Sequence, residues 1–339
     1  MVKNKNESIE KSKYEKYLHS LSKDQLIKII FPPVNFIKNK YIKSYKKIAL
    51  KFSYYGKNFH GLVMQDNKDT VELRILRVMY YNGLINSFIS NNISFAGRTD
   101  AGVSAKNMVM SVIFPSILTE DENSNILKNT VERNNSNENF ILEKNKEYDY
   151  IKMLNSGLPE EILIHSYSLV PKDFDARHSC ISRKYKYFFR SNNLNINLMK
   201  EICKYFFEVK NFENFCKKSK EKEFKKKGLE IDKAYYCRSL TSISIEMVED
   251  SVYCLNIKAK SFLHNMVRKI FWVLQQVGLN NSIDIFYKIL NGDVQCGTAK
   301  AENLLFYGCE YDENLYFLGS NENKNDYIFE KFIKSEIYK

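Results

Sequence analysis

A carboxylate held between two glycines is the first place in this chain where chemistry suggests itself. Residues 94–106 read SFAGRTDAGVSAK, so Gly97 and Gly102 bracket Arg98, Thr99 and Asp100, and an apolar run, Met108–Phe114, follows directly. Two readings compete. Asp tolerates turns and glycine supplies positive φ, so a surface turn explains the residues without any activity. Alternatively, a tight turn at the start of a strand holds the Asp100 carboxylate rigidly for chemistry. The loop alone leaves both open.

Other chemistries find little support. Cys180, Cys203, Cys216, Cys237, Cys254, Cys296 and Cys309 are scattered with no C-x-x-C pair, and the odd number reads as free thiols in a reducing compartment. The five histidines show no H-x-x-x-H spacing and no Cys/His cluster, so no metal site is expected. There is no G-x-x-x-x-G-K-[ST] phosphate cradle, which argues against nucleotide hydrolysis. The net charge of +12, from 52 basic and 40 acidic residues, favours a polyanionic partner, nucleic acid before membrane. A lysine-rich background serving solvation is the competing explanation. No apolar run approaches the roughly 20 residues of a membrane span, and no apolar leader follows Met1. The expectation is a soluble intracellular protein of the cytoplasm or nucleus, with an organelle as the alternative.

These side chains need elements to position them. Ile48, Leu50, Phe52 and Tyr54 alternate with Ala49, Lys51 and Ser53, the pattern of a strand with one apolar face. DTVELRILRVMYY (69–81) reads as a helix capped by Asp69 with Glu72 three residues on. RKYKYFFR (183–190) reads as a strand, 201–216 as a helix, and SLTSISIEMVED with SVYCLNIKAKSF as a hairpin. A long helix follows, with Leu263, Met266, Ile270, Val273, Leu274 and Val277 on one stripe. Strands and helices mix without a βαβ rhythm, which favours an α+β fold with antiparallel sheet. The division expected is a basic extension (1–45, with SKDQLIKII as a short helix), a first half (46–166), a second half (167–320) and a tail (321–339). The Asn/Glu/Lys-rich stretch 119–148 reads as a disordered insertion and Lys217–Lys227 as a loop.

Four stretches then line up in order: YYGKNFHGLVMQ (54–65), GRTDAGVSA (97–105), RKYKYFF (183–189) and SFLHNMVRKI (261–270). Together they resemble the TruA family of tRNA pseudouridine synthases, whose G-R-T-D-x-G-V pattern is matched from Gly97 to Val103. LPEEILIHSYSLVPKDFDARHSCISRKYKYFF (158–189), DTVELRIL and Ser104 resemble the eukaryotic branch acting on uridines 38 and 39 of the anticodon arm. Tyr55, where many members have Asp, Asn265, where many have His, and Gly61–Leu62, where bacterial members have G-W, depart from the pattern. A sister branch acting on other tRNA uridines, and a non-catalytic tRNA-binding or folding factor of the same fold, are the alternative readings. Loss of the nucleophile would mark the second, and Asp100 is present.

The resemblance implies two related α/β-sandwich-like halves forming one extended, mostly antiparallel sheet with a catalytic cleft between them. It implies that Asp100 is the nucleophile, Arg268 its ion-pair partner and Tyr185 an active-site ring that stacks on uracil and takes a proton late in the reaction. The substrate is tRNA, no cofactor is needed, and bacterial-type members are homodimers, which leaves dimerisation of this chain open. Arg98 would meet phosphate or help the target nucleotide leave its stack. Lys184, Lys186, Lys258, Lys260 and Lys269 are the candidate RNA contacts. Tyr187 is expected to fill the sheet face; His264 either touches substrate or is packed, with packing the preferred reading.

Overall fold

The computed structural model describes residues 41–86, 92–133, 147–218, 232–311, 315, 317 and 328–337. The expected helix in SKDQLIKII and most of the Lys217–Lys227 loop lie outside them. The strands are β1 (Ser44–Tyr54), β2 (Ser94–Phe95), β3 (Ser104–Ser116), β4 (Ile162–Leu169), β5 (Cys180–Arg190), β6 (Leu240–Glu249), β7 (Val252–Ala259) and β8 (Leu304–Tyr311). They form one sheet in the order β4-β1-β3-β8-β5-β7-β6, with β2 added on β3. Every pairing is antiparallel except β3 with β8, where Ser104 lies opposite Leu305 and Ala105 opposite Phe306. That parallel seam joins strands from residues 44–169 to strands from residues 180–311.

The helices are α1 (Val71–Tyr81), α2 (Glu120–Arg133), α3 (Tyr150–Asn155), α4 (Ile196–Glu208), α5 (Met266–Asn280) and α6 (Asp284–Asn291). α1 starts one residue later than its acidic cap suggested. Thr70 is the cap, its hydroxyl accepting from Leu73 N at 3.3 Å, while Asp69 pairs with Arg74 at 2.6 Å. One apolar core spans both halves and includes Leu50, Phe52, Met108, Leu255, Phe271 and Leu274. A smaller cluster, with Tyr55, Phe188, Leu305, Ile328 and Phe332, is built on side chains of opposite parity and so covers the other face of the sheet. The C-terminal residues 328–337, expected to be a tail, therefore pack on the sheet.

The stretch 119–148 corrects the expectation of disorder where it is described. Thr119 and Glu122 exchange capping hydrogen bonds at the start of α2. Asn123 is buried and its amide donates to the hydroxyls of Ser44 at 3.0 Å and Ser116 at 3.2 Å. Glu147 pairs with the buried Lys46 at 2.5 Å.

Candidate active site

Thr99 decides where its neighbours point. It is buried, its hydroxyl lies 2.7 Å from the Tyr54 hydroxyl at the end of β1, and its carbonyl accepts from Leu62 N at 3.3 Å. With Thr99 anchored inward, Arg98 and Asp100 are left to line a cleft. The turn closes through Val103 N to Asp100 O at 3.2 Å and Gly102 N to Phe59 O at 3.2 Å. The two bracketing glycines meet different demands. Gly102 has φ +82°, which side chains rarely adopt. Gly97 is not in that region; a Cβ there would sit 3.2 Å from the Phe306 ring and 3.5 Å from the Tyr185 hydroxyl, so the demand is space.

Asp100 meets the N-terminal turn of α5. Arg268 Nη1 donates to Asp100 Oδ2 at 3.1 Å, and Arg268 Nε donates to Ala299 O at 2.8 Å, which fixes the guanidinium. His264, expected to be packed, is instead 42% exposed, with Nε2 3.4 Å from Asp100 Oδ1. Burial alone would push the Asp100 carboxyl up; His264 and Arg268 outweigh it and hold the group below the usual carboxylate range. Asp100 is thus ionised at neutral pH despite its partial burial.

Tyr185 rises from β5 into the same cleft, its ring edge-on to Phe262 at 5.1 Å and to Phe306 at 5.2 Å. Burial pushes its phenol far above the ordinary range, against the pull of Arg183 and with the Asp100 charge adding to the rise. It therefore stands as a neutral phenol. Tyr187 fills the sheet face, as expected, stacked 3.9 Å from Phe271 with its hydroxyl on Lys300 O at 3.0 Å.

The cleft holds about 540 Å³, and its lining includes five arginines (98, 177, 183, 238 and 268) but one carboxylate, Asp100, among the described residues. Arg183 is its scaffold. Nε donates to Ala96 O at 2.7 Å, Nη2 to Arg177 O at 2.6 Å, and Nη1 to Cys180 O at 3.2 Å and to Lys260 O. One buried guanidinium thereby ties together the approach to the Asp100 loop, the entry to β5 and the exit from β7.

The lysines do not join this group. Lys184 and Lys186 alternate with Arg183, Tyr185 and Tyr187, so they lie on the opposite face, with Nζ 5.3 and 4.3 Å from the Tyr307 ring. Lys258 is opposite Lys184 and pairs with Glu310 at 2.7 Å. Lys260 is exposed just past β7, where its carbonyl serves Arg183. Lys269 is buried and donates to Cys296 O at 2.6 Å, a structural contact.

The comparison with known proteins fits this geometry. A family model described as tRNA pseudouridine synthase matches residues 202–312. The tRNA pseudouridine synthase A of Methanosphaera stadtmanae is 30% identical over 302 residues, 86% of this chain and 92% of the relative. This chain belongs to the tRNA pseudouridine synthase family. The tRNA pseudouridine(38/39) synthase of Saccharomyces cerevisiae is 35% identical over 237 residues, which cover 68% of this chain and 48% of the yeast protein. The chain thus spans about half the length of that relative. The Bos taurus protein of the same description is 31% identical over 173 residues, 51% of this chain and 34% of the relative.

For a pseudouridine synthase, the residues that sequence reasoning missed are Arg177, Arg183, Arg238 and His264. The signal for Arg183 was present: it shares the strand face of Tyr185 two residues away. Arg177 and Arg238 lie outside the regular strands and helices, where no period marks them.

Proposed function

We propose that this chain isomerises uridine to pseudouridine in the anticodon arm of tRNA, at positions 38 and 39, with Asp100 as nucleophile. The observation that carries the reading is the ionised Asp100 carboxylate, paired with Arg268 at 3.1 Å in a cleft shared with Tyr185. The positions follow the description of the yeast and bovine relatives as tRNA pseudouridine(38/39) synthases.

The reaction breaks the bond between C1′ of the ribose and N1 of uracil, turns the base, and joins C1′ to C5. Nothing is oxidised and no water is consumed. A carboxylate suits the task because it is nucleophilic while only weakly basic. Arg268 keeps Asp100 charged and aimed, since a partly buried carboxylate without a cation would take up a proton. The target nucleotide must leave its stack to reach this cleft, and the faces of Tyr185 and Phe262 offer it apolar surroundings. A neutral phenol takes the C5 proton only while passing its own on, so Tyr185 acts as a relay toward the base nitrogen that becomes protonated. Arg98, exposed beside Asp100, meets the RNA backbone or occupies the place the flipped nucleotide vacates.

The test is pseudouridine mapping on tRNA from cells lacking the gene, rescued by wild type or by Asp100→Asn. Asp100→Asn is nearly isosteric; it should fold, bind tRNA within about threefold of wild type, and restore no pseudouridine at 38 or 39. A rate within tenfold of wild type, a loss of only ~1.4 kcal/mol, would remove Asp100 from the role of nucleophile. Pseudouridine lost at other positions instead would keep the reaction and correct the substrate.

A further inference from the structure

Arg238 is held in the cleft with half of its guanidinium unused. It lies two residues past the turn Lys233–Tyr236, which Asp232 caps by accepting from Ala234 N at 2.9 Å. Its backbone N donates to Lys210 O at 2.9 Å, and Phe212 N donates to Tyr236 O at 3.0 Å, so the segment is pinned to the chain that follows α4. Nη1 donates to the carbonyls of Tyr235 at 2.9 Å and Cys237 at 2.6 Å, and the guanidinium carbon lies 5.8 Å from the Tyr235 ring. Nε is buried and has no hydrogen-bond partner. No carboxylate among the described residues forms a salt bridge with this side chain.

The unpaired edge, Nε with Nη2, is the edge of a guanidinium that takes two oxygens of one tetrahedral anion. A buried N–H without an acceptor costs free energy unless a ligand supplies one. Arg183, in the same cleft, is the contrasting case, with its nitrogens committed to carbonyls.

We propose that Arg238 is a phosphate anchor, chelating through Nε and Nη2 the two non-bridging oxygens of an RNA phosphodiester next to the target nucleotide. The proposal rests on the tRNA reading above and adds to it a specific contact on the second-half side of the cleft. The single carboxylate of the lining favours a polyanion over an acidic peptide, because a flipped nucleotide necessarily brings its flanking phosphates into the cleft with it. Tyr235 and Cys237 act as the buttress: by occupying Nη1 they leave Nε and Nη2 as the uncommitted edge.

The experiment is tRNA binding by the full chain, wild type against Arg238→Gln, which removes the charge and keeps an N–H donor for the buttressing carbonyls. Native tRNA is compared with ligated tRNAs carrying one uncharged methylphosphonate on either side of the target uridine. Wild type should lose about tenfold in affinity at one of these two linkages. Arg238→Gln should lose about tenfold on native tRNA, lose nothing more at that linkage, and show a salt slope smaller by about one phosphate contact. Arg238→Lys, which keeps a point charge without the fork, should recover only part of the loss. An unchanged salt slope with a lowered melting temperature, or full additional loss at both linkages, would assign Arg238 to capping its own turn and overturn the proposal. A wild type that neither binds tRNA nor forms pseudouridine would overturn the functional reading beneath it, whereas normal wild-type activity with an indifferent Arg238→Gln overturns the anchor alone.

Discussion

The two faces of the sheet carry the same sign of charge in two different chemical forms. On the cleft face the cations are guanidinium groups from Arg98, Arg177, Arg183, Arg238 and Arg268, set around one carboxylate. On the other face the cations set over aromatic rings are ammonium groups: Lys184 and Lys186 over Tyr307, Lys106 over Phe329 at 4.5 Å and Lys51 over Phe317 at 4.0 Å. Guanidinium is planar and weakly hydrated, so it tolerates partial burial and fixes geometry. Ammonium on a long stem covers apolar rings while its head seeks water. Net charge alone would have counted the two faces as equal. They differ in what they meet: one set surrounds a carboxylate, and the other covers aromatic rings.

Exchanging the two forms is the sharpest way to break that comparison. Arg183→Lys should have the largest effect. An ammonium, with one nitrogen in place of the fork, cannot serve four carbonyls in three segments, so buried acceptors lose partners, each worth about 1–3 kcal/mol. Denaturant unfolding should show a loss of roughly 2–4 kcal/mol, and turnover at saturating tRNA should fall by about 100-fold as the Asp100 loop loosens. If Lys supports near-normal turnover, charge and not the fork holds the cleft.

Arg268→Gln comes next. Turnover should fall by about 10²–10³, the usual scale for losing one charge-stabilising donor, with tRNA affinity within about threefold. The pH dependence gives the sign. Asp100 is held below its ordinary value in the folded protein, so its ion pairs stabilise the fold above the unfolded pKa, and that stability is lost as pH falls through the folded pKa. Without Arg268 the folded value rises, and the acid limbs of both activity and stability should move to higher pH. An unmoved acid limb would mean that His264 alone keeps Asp100 ionised.

The smallest effect belongs to the far face. Lys184→Ala with Lys186→Ala should leave tRNA affinity and turnover within about twofold and cost ~1 kcal/mol or less. A tenfold loss of affinity with a shallower salt slope would show that RNA wraps onto this face, and the contrast between the faces would fail.

Much of this was legible in the sequence, and the failures have physical causes. The strand at 48–54, the hairpin of β6 and β7, and the stripe of α5 were legible from periodicity, although β1 and β7 are buried on both faces, Ala49 and Ser53 included. The lysines illustrate a rule available but not applied: residues 184 and 186 share a face with each other and not with 185. α2 escaped because its capping and the buried amide of Asn123 are polar, and composition treats polar residues as solvated. The strand period puts Arg183 on the face of Tyr185, but its scaffold role stays hidden because its partners are backbone carbonyls, which every residue has.

The parallel seam between β3 and β8 has a consequence in time. Ser104 lies opposite Leu305 and Ala105 opposite Phe306, so the strand leaving the Asp100 loop is completed by one made about 200 residues later. At ~5–20 residues per second of synthesis, the carboxylate leaves the ribosome some 10–40 s before the ring that seats Gly97. During that interval the nascent chain carries the Asp100 carboxylate without the wall that closes its loop. An interrupted chain of the first 300 residues therefore contains every side chain assigned to the chemistry and still lacks the enzyme, because the last strand is what turns a collection of residues into a site.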